Sequence, residues 1–127
     1  MGFNKPFGHH LMIDADKCEG DIKSREHIQN FINQLVDEMG MKKMGETKFI
    51  YFENNEYNAD RDIVGYTVFQ CISLSNITMH INEISKTIYL DVFSCSTLDD
   101  IQIALLFSDY FKPMKIKKNK LTRDAKS

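Results

Sequence analysis

Apolar residues recur every three or four positions at Ile28, Phe31, Ile32, Leu35, Val36 and Met39, a spacing that gathers six side chains on one stripe of a helix. Ser24 stands where that helix takes its N-cap. Glu26 falls in the first turn and Gly40 sits where a left-handed C-terminal cap is wanted. Elsewhere the period shortens to two, the repeat of a half-buried strand. Residues 10–15, with Leu11, Met12 and Ile13, read as a short opening strand, and residues 43–52 become β-rich toward KFIYF. Residues 63–73 alternate, with Thr67, Phe69, Cys71 and Ser73 on one face and Tyr66, Val68, Gln70 and Ile72 on the other. Residues 76–82 set Ile77, Met79 and Ile81 against Thr78 and His80. Residues 87–95 set Ile88, Leu90 and Val92 against Tyr89, Asp91, Phe93 and Cys95.

A second helix is expected from a capping-box-like start at Thr97 and Asp100 to about Phe111, with Pro113 as its stop. Its apolar residues spread over more than one face, which suits deep burial or a contact with a second subunit. The polar stretch 53–62 reads as a surface loop or lid, and residues 114–121 as an edge strand. The resulting order, βαββββαβ, has no room for helical crossovers between its middle strands. It predicts an α+β fold, a mainly antiparallel sheet covered on one face by two helices, with the other face free for a partner.

Composition narrows the class. The 127 residues suit one domain, with 43% hydrophobic and 27% charged residues, ordinary for a soluble globular chain. A formal charge of -2 gives no positive field to attract nucleic acid, and the one basic cluster, residues 115–120, fits a solvated edge. No apolar run is long enough for a signal peptide or a spanning helix, so a cytoplasmic address without membrane contact is expected. Cys18, Cys71 and Cys95 form an odd set with no close pair, which argues against a disulfide framework or a zinc ribbon. Adjacent His9 and His10 would point to opposite faces of a strand and make a poor metal site.

The candidate chemistry lies on the polar faces of the later strands, in LSNITMHINEISKTIYLDVFSC. Ser75 carries a hydroxyl, His80 an imidazole five residues on, and Cys95 a thiol fifteen residues after that. A serine can attack the carbonyl before it, here that of Leu74, exchanging an amide for an ester when the turn is strained. Elimination of that ester leaves dehydroalanine, which hydrolyses to a pyruvoyl group heading a new chain. His80 is the histidine nearest Ser75 in sequence and a candidate base, a role that requires a bend or bulge near Ser75 or Asn76. Thr67, of the same parity as Ser75, could supply a hydroxyl to the oxyanion. A pyruvoyl ketone could form a Schiff base with a substrate amine and accept electrons as carbon dioxide leaves, and Cys95 could return the proton.

The segment SNITMHINEISKTIYLDVFSC resembles the core of the small prokaryotic S-adenosylmethionine decarboxylase proenzymes, and FGHHLMID, Gly65, Thr67 and DYFKPMKIKKNKLTRD extend the resemblance along nearly the whole chain. It implies self-cleavage between Leu74 and Ser75 into a β chain, 1–74, and an α chain, 75–127, headed by the pyruvoyl cofactor. It implies that His80 and Thr67 act in processing, that Cys95 is the proton donor, and that S-adenosylmethionine yields the aminopropyl donor for spermidine. An α/β sandwich fold is implied too, as is a homodimer of processed protomers with active sites at the interface. Phe52, Glu83 and Phe93 are the candidates for substrate binding.

The chain departs from the family pattern at Leu74, where glutamate is usual, and at Asn76, where histidine follows the serine. Asn82, Glu83 and Ile84 set the ribose-binding acid one residue early. The loop 53–62 lacks the short Phe-x-Pro-x-Gly pattern of an adenine site, for which Phe52 or Tyr57 could substitute. Two alternatives follow: the same chemistry on a smaller amino acid such as ornithine or arginine, or an uncleaved, non-catalytic paralogue.

Overall fold

The computed structural model describes residues 6–53 and 63–126. Its elements follow the order β1 (Gly8–Cys18), α1 (Arg25–Glu38), β2 (Lys48–Phe52), β3 (Gly65–Ile72), β4 (Ser75–Asn82), β5 (Thr87–Ser94), α2 (Asp100–Phe111) and β6 (Pro113–Arg123). The strands form one sheet in the order β2-β3-β4-β5-β1-β6, and every neighbouring pair is antiparallel. Of the expected loop 53–62, only Glu53 falls among the described residues.

Alternation decides which face is covered. Leu11, Ile13 and Ala15 of β1, Val68 and Ile72 of β3, Ile77, Met79 and Ile81 of β4, and Ile88, Leu90 and Val92 of β5 are all buried. They join Ile28, Phe31, Ile32, Leu35 and Val36 of α1 and Ile103, Leu106, Phe107 and Phe111 of α2 in a single core. Both helices therefore lie on one face. Phe31 locks them together through edge-on contacts with Phe107 and Phe111, with ring centroids 5.8 and 5.0 Å apart. The opposite face is open and carries Ile50, Phe69 and Tyr89 as exposed apolar side chains.

Helix ends follow the local chemistry. The Ser24 hydroxyl accepts from the His27 amide at 3.1 Å, and Gly40 adopts φ = 67° where α1 stops. The second helix departs from expectation, because its cap is Asp99, whose carboxylate accepts from the Gln102 amide at 3.1 Å, and not Thr97. Aspartate directly before the first free amides also complements the positive end of the helix dipole. Asp99→Ala should cost about 1 kcal/mol of stability and Thr97→Ala much less. Urea denaturation of the two variants separates them.

The first strand is longer than its apolar core, running from Gly8 to Cys18, because its polar ends are paired on one side to β5 and on the other to β6. The expected basic edge strand is real and longer too. Lys118 and Lys120 reach back from it to Asp100, at 2.6 and 3.9 Å, and the Lys118 ammonium holds the Asp100 carboxyl below its usual range. No described helix is long and apolar enough to cross a membrane.

Candidate active site

β3 and β4 meet through a two-residue turn, Ser73 and Leu74, closed by the pair Ile72–Ser75. Leu74 takes φ = 56°, the left-handed region that glycine enters freely and a leucine enters at a cost of about 1–2 kcal/mol. Its side chain is exposed, so nothing packs it into that shape for its own sake. The strain sits on the residue whose carbonyl Ser75 would attack.

Ser75 itself begins β4 and is 6% exposed. It shares parity with Ile77, Met79 and Ile81, and so lies on the helix-covered face rather than on the polar face expected to hold the chemistry. Its hydroxyl donates to Ser94 Oγ at 3.0 Å, and Ser94 is its partner across the β4–β5 ladder. Ser94 also accepts from the Ser96 amide at 3.1 Å. Cys95 follows β5 directly and is half-buried. The register that pairs Ser75 with Ser94 sets Cys95 opposite Leu74 when continued by one residue.

His80 does not join this group. β4 is paired without interruption from Ser75 to Asn82 against β5, so the bend or bulge that would swing His80 toward Ser75 is absent. The two lie on opposite faces, about 17 Å apart along the strand. Thr67 is not beside Ser75 either. The two-residue turn pairs residues of opposite parity, so Thr67 faces His80, and its hydroxyl lies 3.1 Å from His80 Nδ1. Thr67 and His80 are thus a ready-made pair, on the open face and toward the other end of the hairpin.

The three candidates for substrate binding also divide between the ends of the sheet. Phe93 lies on the open face near Ser75, stacked on Phe7 at 6.1 Å with the Arg123 guanidinium 5.7 Å from its ring centroid. Phe52 and Glu83 lie at the far end. Phe52 is paired with Gly65, and the Glu83 amide donates to the Val64 carbonyl at 2.7 Å. Gly65 is required there: a Cβ would fall 2.0 Å from the Ile81 carbonyl oxygen, and its φ is 151°. The Tyr51 hydroxyl bonds to Glu83, which with burial pushes its pKa up to about 12. The other carboxylate oxygen of Glu83 is buried and has no partner among the described residues.

A sequence profile of the S-adenosylmethionine decarboxylase family matches residues 9–124. The chain belongs to this family. Its fold is similar to that in the crystal structure of the adenosylmethionine decarboxylase from Aquifex aeolicus, with a TM-score of 0.75 at 19% identity over 94% of this chain and 92% of that one. No curated protein matches the chain by sequence. The resemblance seen in the motifs is therefore a true family relation, and the antiparallel sheet with its two helices is the fold shared with the Aquifex decarboxylase.

Two residues at the serine end of this S-adenosylmethionine decarboxylase homologue escape a reading by motif. Ser94 is hidden beside Cys95, yet its parity with Leu90 and Val92 already assigns it to the covered face. His9 shares parity with Leu11 and Ile13, faces the same way, and pairs directly with Ser94. On the open face His10 bonds Asp91, Nε2 to Oδ1, at 3.0 Å. The split between His9 and His10 follows from strand alternation alone.

Proposed function

We propose that this chain is a pyruvoyl-dependent S-adenosylmethionine decarboxylase that makes its own cofactor by cutting itself between Leu74 and Ser75. The observation that carries the reading is the left-handed Leu74 immediately before a buried serine with an oriented hydroxyl. Attack of Ser75 Oγ on the Leu74 carbonyl carbon relieves that strain as the amide becomes an ester. Loss of the Ser75 α-proton then expels the Leu74 carboxylate, and hydrolysis releases ammonia. The products are a β chain, 1–74, and an α chain, 75–127, with the pyruvoyl group at its head.

The fold suits such a cut. Ser73 and Leu74 form a surface turn, so breaking the chain there removes no core contact. β1, from the first piece, lies between β5 and β6 of the second, and β3 stays paired to β4. Interleaved strands keep the two pieces together after cleavage.

Because one chain keeps the Thr67–His80 pair away from Ser75, we assign that pair to the serine of a second protomer in a homodimer formed through the open faces. The exposed Ile50, Phe69 and Tyr89 give that face the apolar surface an interface needs. There His80 of the second protomer approaches the Ser75 α-carbon from the open face, the side away from its hydroxyl, and takes the α-proton, while Thr67 orients the imidazole. The same crossing carries Phe52 of one protomer toward Phe93 and Cys95 of the other. The aromatic rings of Phe52 and Phe93 hold the base of S-adenosylmethionine, while Glu83 stays bonded to Tyr51 on the helix-covered side.

The pyruvoyl carbonyl supplies an electron sink when carbon dioxide leaves. Cys95, beside that position, then delivers a proton to the carbon that has lost the carboxylate. The product is the aminopropyl donor for spermidine synthesis, made in the cytoplasm. Release of labelled carbon dioxide from carboxyl-labelled S-adenosylmethionine, ornithine and arginine tests the assignment. Release from S-adenosylmethionine is expected; release from ornithine or arginine without it would overturn the substrate.

A further inference from the structure

With His80 on the far face, the hydroxyl proton of Ser75 needs another acceptor, and the covered face supplies one. His9, Ser94 and Ser75 are consecutive cross-strand partners on β1, β5 and β4, and all three share the face of Leu11, Val92 and Ile77. Ser94 Oγ already accepts two hydrogen bonds, from the Ser75 hydroxyl at 3.0 Å and the Ser96 amide at 3.1 Å. A serine hydroxyl has two lone pairs and one proton, so only its own proton is left to give. On the other side of the ladder, His9 Nδ1 is buried and has no partner among the described residues. Directly opposed residues in antiparallel strands hold their Cβ atoms about 5 Å apart, within reach of a hydroxyl-to-imidazole hydrogen bond after a turn of the ring. A buried nitrogen without a partner is rare enough to need a reason.

The approach of the strands is enforced by Gly8. A Cβ at that position would fall 2.4 Å from the Ser94 carbonyl oxygen and 3.3 Å from the Cys95 Cα. The absence of that carbon is what lets β1 close on Ser94. The side chain of the next residue, His9, is thereby fixed beside the serine pair.

We infer that Ser75, Ser94 and His9 form a proton relay that starts the self-cleavage, a step that rests on the proposed pyruvoyl function. As Ser75 Oγ bonds to the Leu74 carbonyl carbon, its proton passes to Ser94 Oγ and the Ser94 proton passes to His9 Nδ1. The carbonyl π electrons move to oxygen. When the tetrahedral centre collapses, the C–N bond breaks, and the Ser75 nitrogen takes back a proton along the same path. An amide has become an ester with every proton accounted for and no co-reactant. Ser94 touches the reacting oxygen and is a catalytic residue; His9 acts through it and is a positioning residue. His80, on the opposite face, is left for the later loss of the α-proton.

The test separates the first step from the second, because hydroxylamine cuts an ester and leaves a peptide bond intact. Wild type, Ser94→Ala, Ser94→Thr, His9→Phe and His80→Ala are purified and their masses followed with and without hydroxylamine, with circular dichroism to verify folding. Ser94→Ala and His9→Phe should cleave about a hundredfold more slowly and resist hydroxylamine. Ser94→Thr, which keeps the hydroxyl, should restore cleavage, and uncut His80→Ala should be cut by hydroxylamine after Leu74. If Ser94→Ala cleaves at the wild-type rate, or if uncut His9→Phe is as sensitive to hydroxylamine as His80→Ala, the relay is wrong. Should His9→Phe fail to fold, the alanine and threonine variants of Ser94 decide. An uncut wild type would overturn the relay and the pyruvoyl function together, whereas a cut wild type with unaffected variants overturns the relay alone.

Discussion

Ser75→Ala is expected to leave the chain in one piece and without decarboxylase activity. Alanine lacks the oxygen that, in the proposed reaction, attacks the Leu74 carbonyl, so no ester and no pyruvoyl group can form. The loss should be complete rather than partial, because in that reaction the side chain supplies the atoms of the cofactor itself. The fold should survive the change. Ser94 keeps its bond from the Ser96 amide, and removal of the Ser75 hydroxyl costs about 1 kcal/mol. An uncut, folded and inactive variant is therefore the expected result. A nicked Ser75→Ala chain would mean that the cut comes from an outside protease.

Cys95→Ala should behave in the opposite way, cutting as wild type does but releasing carbon dioxide about 10²–10⁴ times more slowly. The thiol lies one residue past Ser94 and, by register, against the Leu74–Ser75 peptide. It takes no part in the hydrogen bonds that orient the Ser75 hydroxyl, so cleavage does not need it. In the proposed function the same closeness makes Cys95 the proton source at that end of the sheet. Mass spectrometry of the chains beside a turnover assay gives both readings from one preparation. Full turnover in Cys95→Ala would remove it as proton donor.

The two variants depend on a fold that was legible because its alternation is regular. Leu11, Ile13, Ile77, Met79, Leu90 and Val92 each lie in a clean period of two, and the α1 stripe from Ile28 to Val36 lies in a period of three and four. These patterns specify one face of each element, and the core is the sum of those faces. Register between strands is a different matter. It is set by turn length, and the two-residue turn at Ser73 and Leu74 makes paired residues differ in parity. Thr67 therefore meets His80 and not Ser75, although Thr67 and Ser75 share parity in the numbering. Ser75 was hidden for a related reason: β4 starts one residue earlier than the alternation predicts, at Ser75 rather than Asn76, and that residue faces the core.

The placement of Asp99 as the α2 cap has a similar cause. Thr97 and Asp100 have the spacing of a capping box, but Asp99 lies next to the first helical residue and its carboxylate reaches the Gln102 amide. Local spacing alone does not choose between Thr97 and Asp99. The strained φ of Leu74 is likewise invisible in the residue type, since leucine gives no sign of a left-handed turn. The turn and the registers on either side of it impose that shape, and they also bring Ser75 beside Ser94.

Self-cleavage at this strained turn shows at once in the intact mass of the freshly purified wild-type protein. Two chains are expected, 1–74 and 75–127, the second lighter than a serine-headed fragment by the mass of ammonia. A single uncut chain, or a second fragment that still begins with serine, would contradict the proposed function.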